Sequence, residues 1–203
     1  MRDIEALHGN IRECTRCLSG GYPISLPPIA DGLAPSPFML VGQAPSISDL
    51  RNRAMYTGPA GRRLLGWLKQ AGFTDEDFGT IVYLTAITKC FPGRLAGKST
   101  DRAPSAQERS NCRPWLEAQI QLVDPRVIIL FGKMAINAFL PGATLDGVVG
   151  SEIVKDGVIY IPLPHSSGAS TWLNDPAREL LLQQAISVLR ERRRLLLPTV
   201  PLK

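Results

Sequence analysis

The sequence has no long apolar run that is free of charged residues, and its first residues, Met-Arg-Asp-Ile-Glu, do not lead from a basic stretch into an apolar one. The first absence argues against a membrane-spanning helix, and the second argues against a secretory signal. We therefore expect a cytoplasmic protein with no membrane partner. Its 203 residues, of which 44% are hydrophobic, can build one good core, so we expect a single domain over residues 1–203, present as a monomer.

Cysteine is also scarce: the chain has four, and a reducing compartment argues against disulfides between them. Cys14 and Cys17 form a Cys-x-x-Cys pair after a predicted helix over residues 3–13, and Cys90 and Cys112 complete the set. A thioredoxin-like redox pair is the rival interpretation, but this pair does not follow the first strand of a βαβ unit. Four thiolates can hold a zinc ion or an iron–sulfur cluster, and the spacing alone does not separate the two. The cysteines therefore predict a metal centre.

The chain does contain an alternation of short apolar runs with amphipathic helical patterns. The apolar runs occupy residues 38–42, 81–85, 126–132 and 158–163. The helical patterns occupy residues 62–71, 105–123, 133–140 and 175–192. Uninterrupted apolar runs between helices are typical of parallel strands that helices cover on both faces. The pattern predicts an α/β fold.

The first apolar run ends abruptly at Gly42-Gln-Ala-Pro-Ser46. In open α/β sheets, ligands bind in a crevice outside the carboxyl ends of the strands. Gly42 lets the backbone approach a bound group closely, and Gln43 can both donate and accept hydrogen bonds. An ordinary strand-to-helix turn has the same glycine and proline, so both interpretations stay open at this point.

Histidine is the other scarce residue, and one of the two histidines, His165, follows the fourth apolar run. A histidine at the carboxyl end of a strand, among hydroxyl residues, favours a functional role over an incidental one. The loop over residues 91–104 carries Arg94, Lys98 and Arg102. It is either a solvated surface loop or a contact for phosphates, and the net charge of +5 is compatible with a polyanionic partner.

A family resemblance is carried by the order and spacing of several motifs. The motifs are Cys-x-x-Cys near the start, Val-Gly-Gln-Ala-Pro-Ser, Tyr-Thr-Gly-Pro-Ala-Gly, Val-Tyr-Leu-Thr-Ala-Ile-Thr-Lys-Cys-Phe-Pro, Cys-Arg-Pro-Trp-Leu and Pro-His-Ser-Ser-Gly. From about residue 5 to residue 190 the chain resembles the iron–sulfur branch of the uracil-DNA glycosylase superfamily, close to family 4. The resemblance implies a three-layer αβα sandwich with a four-stranded parallel sheet, a [4Fe–4S] cluster on the four cysteines, and hydrolysis of the bond between a damaged base and deoxyribose in DNA.

The resemblance also assigns roles to single residues. The catalytic residues would be His165, Asp49 and Gln43. Tyr56, which we expect to be an exposed aromatic in the polar loop over residues 48–61, would stack on the flipped base. The positions that match the base pocket are Gly42, Ala44, Tyr56, Ala86 and Ser166.

Three of these positions depart from the family pattern. Gln43 replaces a glutamate, Ser166 replaces the proline of a His-Pro-Ser motif, and Ala86 replaces the asparagine that reads the uracil edge. An alanine cannot make that hydrogen-bond pair, so we expect looser selectivity among deaminated bases than in family 4.

DNA contacts are expected from two further groups of residues. Arg94, Lys98 and Arg102 would contact phosphates. Trp172 and Leu173 would either enter the gap that the flipped base leaves in the duplex or anchor the last helix in the core.

The chemistry of the reaction sets the demands on the site. The base leaves as an anion while the sugar becomes cationic, so the site needs hydrogen-bond donors directed at the departing oxygen. A neutral His165 can supply one such donor, and Asp49 can orient water towards the sugar.

Other functions stay open. A non-catalytic homologue could recognise lesions in DNA and keep the cluster as a structural element, which Ala86 and Gln43 would both allow. A sister branch of the superfamily traps the base-free sugar through a histidine in the basic loop, but residues 91–104 contain no histidine. A zinc-bearing α/β hydrolase would need a Gly-x-Ser-x-Gly elbow, and the sequence has none.

Overall fold

The computed structural model describes residues 2–98, 100–167 and 171–197. In this part of the chain one sheet is formed by β1 (Phe38–Gly42), β2 (Val82–Ala86), β3 (Val127–Phe131), β4 (Ile153–Lys155) and β5 (Val158–Leu163). The spatial order is β2-β1-β3-β5-β4, in which the first four strands are parallel and β4 is antiparallel to β5. The four predicted parallel strands are confirmed. The antiparallel edge strand β4 was not predicted, because it has only three residues, of which two are exposed, and they form no long apolar run.

Helices cover both faces of the sheet, which confirms the predicted three-layer sandwich. They are α1 (Arg2–Arg12), α2 (Arg16–Ser19), α3 (Ile47–Asn52), α4 (Pro59–Gln70), α5 (Ala106–Val123), α6 (Gly132–Phe139), α7 (Leu145–Val148) and α8 (Pro176–Leu196), with a 3-10 turn at Trp172–Asn174. Residues of α4 and α8 share one apolar core with the sheet, and residues of α1, α5 and α6 share the other. In the described part of the chain, no helix has both the length and the apolar character needed to cross a membrane.

Strand β1, which lies between β2 and β3, is covered by an apolar core on each face of the sheet. All five of its residues are buried, and successive side chains point to opposite faces. Phe38 and Leu40 pack in the core beneath α4 and α8, whereas Met39 and Val41 pack in the core beneath α1 and α5. Burying one such apolar side chain stabilises the fold by ~1.5–3 kcal/mol. If helices covered only one face of the sheet, the side chains on the other face would be exposed, and the strand would lose about half of its total contribution.

The topology brings the candidate functional residues to one edge of the sheet. The chain runs from β1 outwards to β2 and then returns to the other side of β1 to form β3. The connections after β1 and β3 therefore leave the sheet in opposite directions, and a crevice opens between them at the carboxyl ends of the strands. Gly42, Ala86, Phe131 and Leu163 are the last residues of the four parallel strands at this edge.

The basic cluster at the end of α8 is part of the fold. Arg192 pairs with Glu152, Arg193 pairs with Asp77, and Arg190 donates to the carbonyl of Gln70. These contacts tie α8 to α4 and to the segments that precede β4 and β2. Arg190, Arg192 and Arg193 are therefore anchored to other parts of the fold, whereas Arg194, within the described part of the chain, pairs only with the exposed Glu191 of the same helix.

Candidate active site

The loop after β1 is organised by a buried carboxylate. Ser46 caps the start of α3, and the Asp49 side chain accepts in return from the Ser46 amide and hydroxyl, both at 2.8 Å. The other oxygen of Asp49 accepts from the Thr57 amide at 2.6 Å and from its hydroxyl at 2.9 Å. A carboxylate has about four lone-pair sites, and Asp49, only 5% exposed, uses four for the protein. Its water-orienting role stays a prediction, and it would require one of these bonds to break.

The Tyr56 side chain is buried, so the expectation of an exposed aromatic is wrong. Its hydroxyl donates to the carbonyl of Thr85 at 2.7 Å, and burial raises the pKa of the phenol well above its ordinary value. Two glycines make room for it. A Cβ on Gly42 would lie 2.8 Å from the Tyr56 hydroxyl, and a Cβ on Gly61 would lie 2.2 Å from the Tyr56 carbonyl oxygen. The ring packs edge-on against Phe131 at 6.3 Å and forms part of the cleft wall.

His165 is held as a neutral hydrogen-bond donor. The Ser167 amide donates to its Nδ1 at 3.2 Å, and the Ser167 hydroxyl lies 2.8 Å from the same nitrogen. A backbone amide can only donate, so Nδ1 is the accepting nitrogen and the ring proton is on Nε2. Burial lowers the pKa of His165, which favours this neutral form. The imidazole stacks on Phe131 with 4.7 Å between ring centres.

Ser166 fixes the histidine loop to α4. Its hydroxyl donates to the Ala60 carbonyl at 2.6 Å, and its own carbonyl accepts from the Arg63 guanidinium at 3.2 Å. A proline at this position would lack the hydroxyl. The departure from His-Pro-Ser therefore adds a tether between this loop and the start of α4. Residues 168–170 of the same loop lie outside the described residues.

The structure brings most of the predicted catalytic and base-pocket residues, together with Arg102, into one cleft of about 620 Å³. This volume is in the range of small-molecule sites. The predicted residues that line it are Gly42, Gln43, Ala44, Asp49, Tyr56, Arg102, His165 and Ser166. Ala86 is not among the lining residues and is only 1% exposed at the end of β2.

Several residues that line the cleft were missed by the sequence analysis, and three of them have large or charged side chains. Phe131, Arg63 and Asp101 all face the cleft, and burial raises the pKa of the Asp101 carboxyl. Phe131 was identifiable, because it ends the third strand at the edge where ligands bind. Arg63 and Asp101 had no signal in the sequence, since Arg63 is an exposed residue of α4 and Asp101 lies in an irregular loop.

The predicted phosphate contacts divide into two kinds. Arg94 and Lys98 are exposed. Arg102 instead makes a two-pronged ion pair with Glu108, at 2.6 and 2.7 Å, and its Nε donates to the Pro92 carbonyl. Glu108 is buried, and the hydrogen bond from Arg102 lowers its pKa to about 2. Arg102 therefore stabilises the loop, and the geometry does not support its prediction as a free phosphate contact.

Trp172 belongs to the core. Its indole N–H donates to Asp146 at 3.1 Å, the Arg178 guanidinium lies 5.6 Å from the ring centre, and the ring packs with α8. Leu173 is half-buried against the same core. The structure favours the anchoring interpretation for both residues, and it does not support their prediction as a wedge in the duplex.

The four cysteines line a second, smaller cavity. Its wall is formed in part by α5 and by the segment after β2. Trp115 donates its indole N–H to Cys14 Sγ at 3.3 Å, and the Asn111 amide lies 3.8 Å from Cys17 Sγ. Burial raises the pKa of Cys90 to about 12, so this thiol stays protonated until a metal displaces the proton.

The arrangement of the cysteines tests which metal group would fit. Within residues 2–98, 100–167 and 171–197, no three histidine, cysteine or acidic side chains converge on a position for one metal ion. A cubane cluster presents a separate iron to each of its four thiolates, so its ligands need not converge on one point. Four cysteines around one cavity therefore fit the ligand set of a cluster.

Comparison with known proteins supports the family that the motifs indicate. The family model described as the uracil DNA glycosylase superfamily matches residues 31–190. The chain belongs to this superfamily. It is similar to a type-4 uracil-DNA glycosylase of Thermotoga maritima, with 27% identity over 187 residues that cover 89% of this chain and 90% of the relative.

Two further relatives come from Pyrobaculum aerophilum. A type-4 uracil-DNA glycosylase is 30% identical over 138 residues, which cover 68% of this chain and 65% of the relative. A type-5 uracil-DNA glycosylase is 28% identical over 165 residues, which cover 75% of this chain and 69% of the relative. The resemblance inferred from the motifs is thus confirmed.

Proposed function

We propose that this protein is a DNA glycosylase that excises a deaminated base, uracil foremost, by hydrolysing its N-glycosidic bond. The proposal is supported by relatives that are named uracil-DNA glycosylases and that match most of the chain. The observation that carries it is His165, which lines an aromatic-walled cleft at the carboxyl edge of the sheet and whose Nδ1 accepts from the Ser167 amide, so that its Nε2–H is left as a donor.

The cleft would receive a base that has been rotated out of the duplex. Extrusion costs a few kcal/mol and is easiest for mismatched or unpaired bases, so a deaminated base opposite guanine is a favourable target. Tyr56 and Phe131 supply apolar walls for the extruded base. Stacking on such rings contributes ~1–3 kcal/mol per base, independent of sequence.

The departing base would be stabilised by hydrogen bonds. Negative charge develops on its oxygen as the bond to the sugar breaks, and a preorganised donor at this point is worth ~10²–10³ in rate. The Nε2–H of His165 is such a donor, because Ser167 fixes the tautomer. Gln43, half-buried in the cleft wall, adds an amide that can donate to or accept from the base edge.

Two exposed cations near the cleft would contact DNA. Arg94 and Lys98 lie in the loop that also contributes residues 100–102 to the cleft wall. Charges of this kind give sequence-independent affinity for phosphates, which suits an enzyme that must inspect many sites.

We propose that Cys14, Cys17, Cys90 and Cys112 hold a [4Fe–4S] cluster. When bound, the cluster would supply a covalent cross-link between segments that are distant in the sequence. The cysteines then connect the end of α1 and the start of α2 to the segment after β2 and to α5. Iron analysis and broad absorption near ~400 nm would test this assignment, and zinc without iron would contradict it.

The activity is tested with oligonucleotides that carry one uracil, hypoxanthine or xanthine, followed by alkaline cleavage of abasic sites. We expect cleavage of the uracil strand first and no cleavage of the undamaged strand. A His165→Ala preparation purified in parallel excludes a contaminating glycosylase. Binding without excision of any of the three bases would favour the non-catalytic DNA-binding homologue instead.

A further inference from the structure

Lys89 is a buried cation between the two candidate sites. It follows β2, immediately precedes Cys90, is 2% exposed, and lines the cavity of the four cysteines. Its ammonium donates to the Thr85 hydroxyl at 2.9 Å and to the Ala86 carbonyl. None of the ion pairs among the described residues includes Lys89. A buried ammonium without a compensating charge is strongly destabilising.

The groups that can compensate this charge are thiolates. Cys90 follows Lys89 directly in the chain, and Cys90 and Cys112 line the same cavity as Lys89. A cluster ligated by four thiolates carries net negative charge. Lys89 and the loaded cysteine centre would thus form a charge pair in a site that excludes water.

The same side chain holds the end of β2. The carbonyl of Thr85 accepts the Tyr56 hydroxyl at 2.7 Å, so the position of the cleft wall depends on Thr85. The Thr85 hydroxyl donates to Gln119 at 3.0 Å, and Gln119 donates to Tyr83 at 2.8 Å. This network of buried polar groups extends from the cleft wall into the core beneath α1, and Lys89 is its link to the cysteines.

We propose that Lys89 is a positioning residue that couples the cysteine centre to the base pocket. Its charge balances the thiolate-ligated cluster, and its two hydrogen bonds hold the strand end on which Tyr56 depends. This inference rests on the proposed function, because it assumes a cluster on the four cysteines and a base in the cleft. Loss of the cluster would remove the counter-charge of Lys89 and loosen the cleft wall.

Two substitutions separate the charge from the hydrogen bonds. Lys89→Met keeps the length of the side chain without charge or donors, and Thr85→Val removes one acceptor of the ammonium and leaves the charge. We expect Lys89→Met to lower the midpoint potential of the cluster, because reduction adds negative charge to a site that has lost its cation. We also expect it to release iron to a chelator ~5-fold faster. Thr85→Val should leave the potential unchanged.

Turnover reports the other half of the coupling. Both substitutions should raise KM for a uracil oligonucleotide by ~5-fold or more with a smaller change in kcat, since Lys89→Met removes both hydrogen bonds of the ammonium and Thr85→Val removes one of them. Lys89→Arg, which keeps the charge and the donors, should restore the potential of the parent.

The outcomes distinguish this inference from the proposed function. Parent protein without iron would refute the proposed cluster before any substitution is compared. Parent protein with iron, combined with an unchanged potential and iron release in Lys89→Met, would overturn the role of Lys89 whether or not uracil is excised. If Lys89→Met is insoluble, Lys89→Gln replaces it, and we expect the same fall in the midpoint potential. An unchanged potential in Lys89→Gln would likewise overturn the role of Lys89.

Discussion

The carboxylate of Asp49 and residue Thr57 are joined by two hydrogen bonds, from the Thr57 amide at 2.6 Å and from its hydroxyl at 2.9 Å. This pair closes the polar loop between β1 and α4, and the same carboxylate caps α3 from within through Ser46. Asp49, to which the family pattern assigns water activation, therefore also fixes the conformation of this loop.

Asp49→Asn should lower stability as well as turnover. An asparagine amide would direct N–H groups at the donors of Ser46 or Thr57, and leaving buried donors unpaired costs ~1–3 kcal/mol. We expect a lower melting temperature together with slower excision and nearly unchanged DNA affinity. Thr57→Val is the matched control, because it removes only one of the four bonds and should lower the melting temperature less. Slower excision with an unchanged melting temperature would instead indicate a direct role of Asp49 in catalysis.

Elements with a strong local signal were predictable from the sequence. The four parallel strands are uninterrupted apolar runs, and the Ser105 capping box begins α5 as its spacing predicts. Contacts that form only when the loops take their folded conformation were not predictable. The sequence predicts that Arg102 is a free cation, and only the fold places Glu108 beside it. The sequence likewise predicts that Tyr56 is exposed, whereas the folded loop buries it next to two glycines. The sequence could not decide whether Trp172 is a wedge or an anchor, because its partner Asp146 is distant in the sequence.

The rate of excision should depend on the protonation of His165. Burial lowers its pKa below the ordinary value of 6.5, so folding favours the neutral ring. Stability from this group is fully present above 6.5 and is lost as the pH falls through the lower pKa of the folded state. Protonation also breaks the acceptor role of Nδ1. We therefore expect a single-turnover rate that is flat at neutral pH and falls on the acid side.

Two variants test this assignment. His165→Ala should slow excision by ~10²–10³, the usual effect of losing one preorganised donor. His165→Gln keeps a donor that does not titrate, so it should be slower than the parent but lose the acid limb of the pH profile. An acid limb that persists in His165→Gln would assign the titration to another group.

Substitutions in the basic loop over residues 91–104 should affect either DNA affinity or stability, depending on which arginine or lysine is changed. Neutralising Arg94 and Lys98 together should reduce the slope of log affinity against log salt by ~2, because each lost phosphate contact contributes about one unit. Arg102→Gln should leave the slope unchanged but destabilise the protein, by at most ~3–5 kcal/mol, since it leaves the buried Glu108 without its partner. If the slope changes in Arg102→Gln and not in the variant without Arg94 and Lys98, then Arg102 contacts the phosphates and the other two residues do not.

Base selectivity should respond to position 86. Side chains of β2 alternate between the two faces of the sheet, and Val82 and Leu84 contact the same core as Tyr56 and Phe131. Residue 86 lies on that face, in register with Gly42. An asparagine there would direct a donor and an acceptor towards the base pocket, whereas the alanine offers neither.

Ala86→Asn should therefore raise the ratio of kcat/KM for uracil over hypoxanthine by ~10-fold or more, because a site built to hydrogen-bond one base edge rejects the other. Ala86→Leu is the control of similar shape without polar atoms, and it should lower excision of both bases equally through crowding of a buried position. Both variants need melting curves, since residue 86 is fully enclosed. Equal ratios in the asparagine and leucine variants would mean that selectivity depends on Gln43 and the backbone groups of the cleft instead.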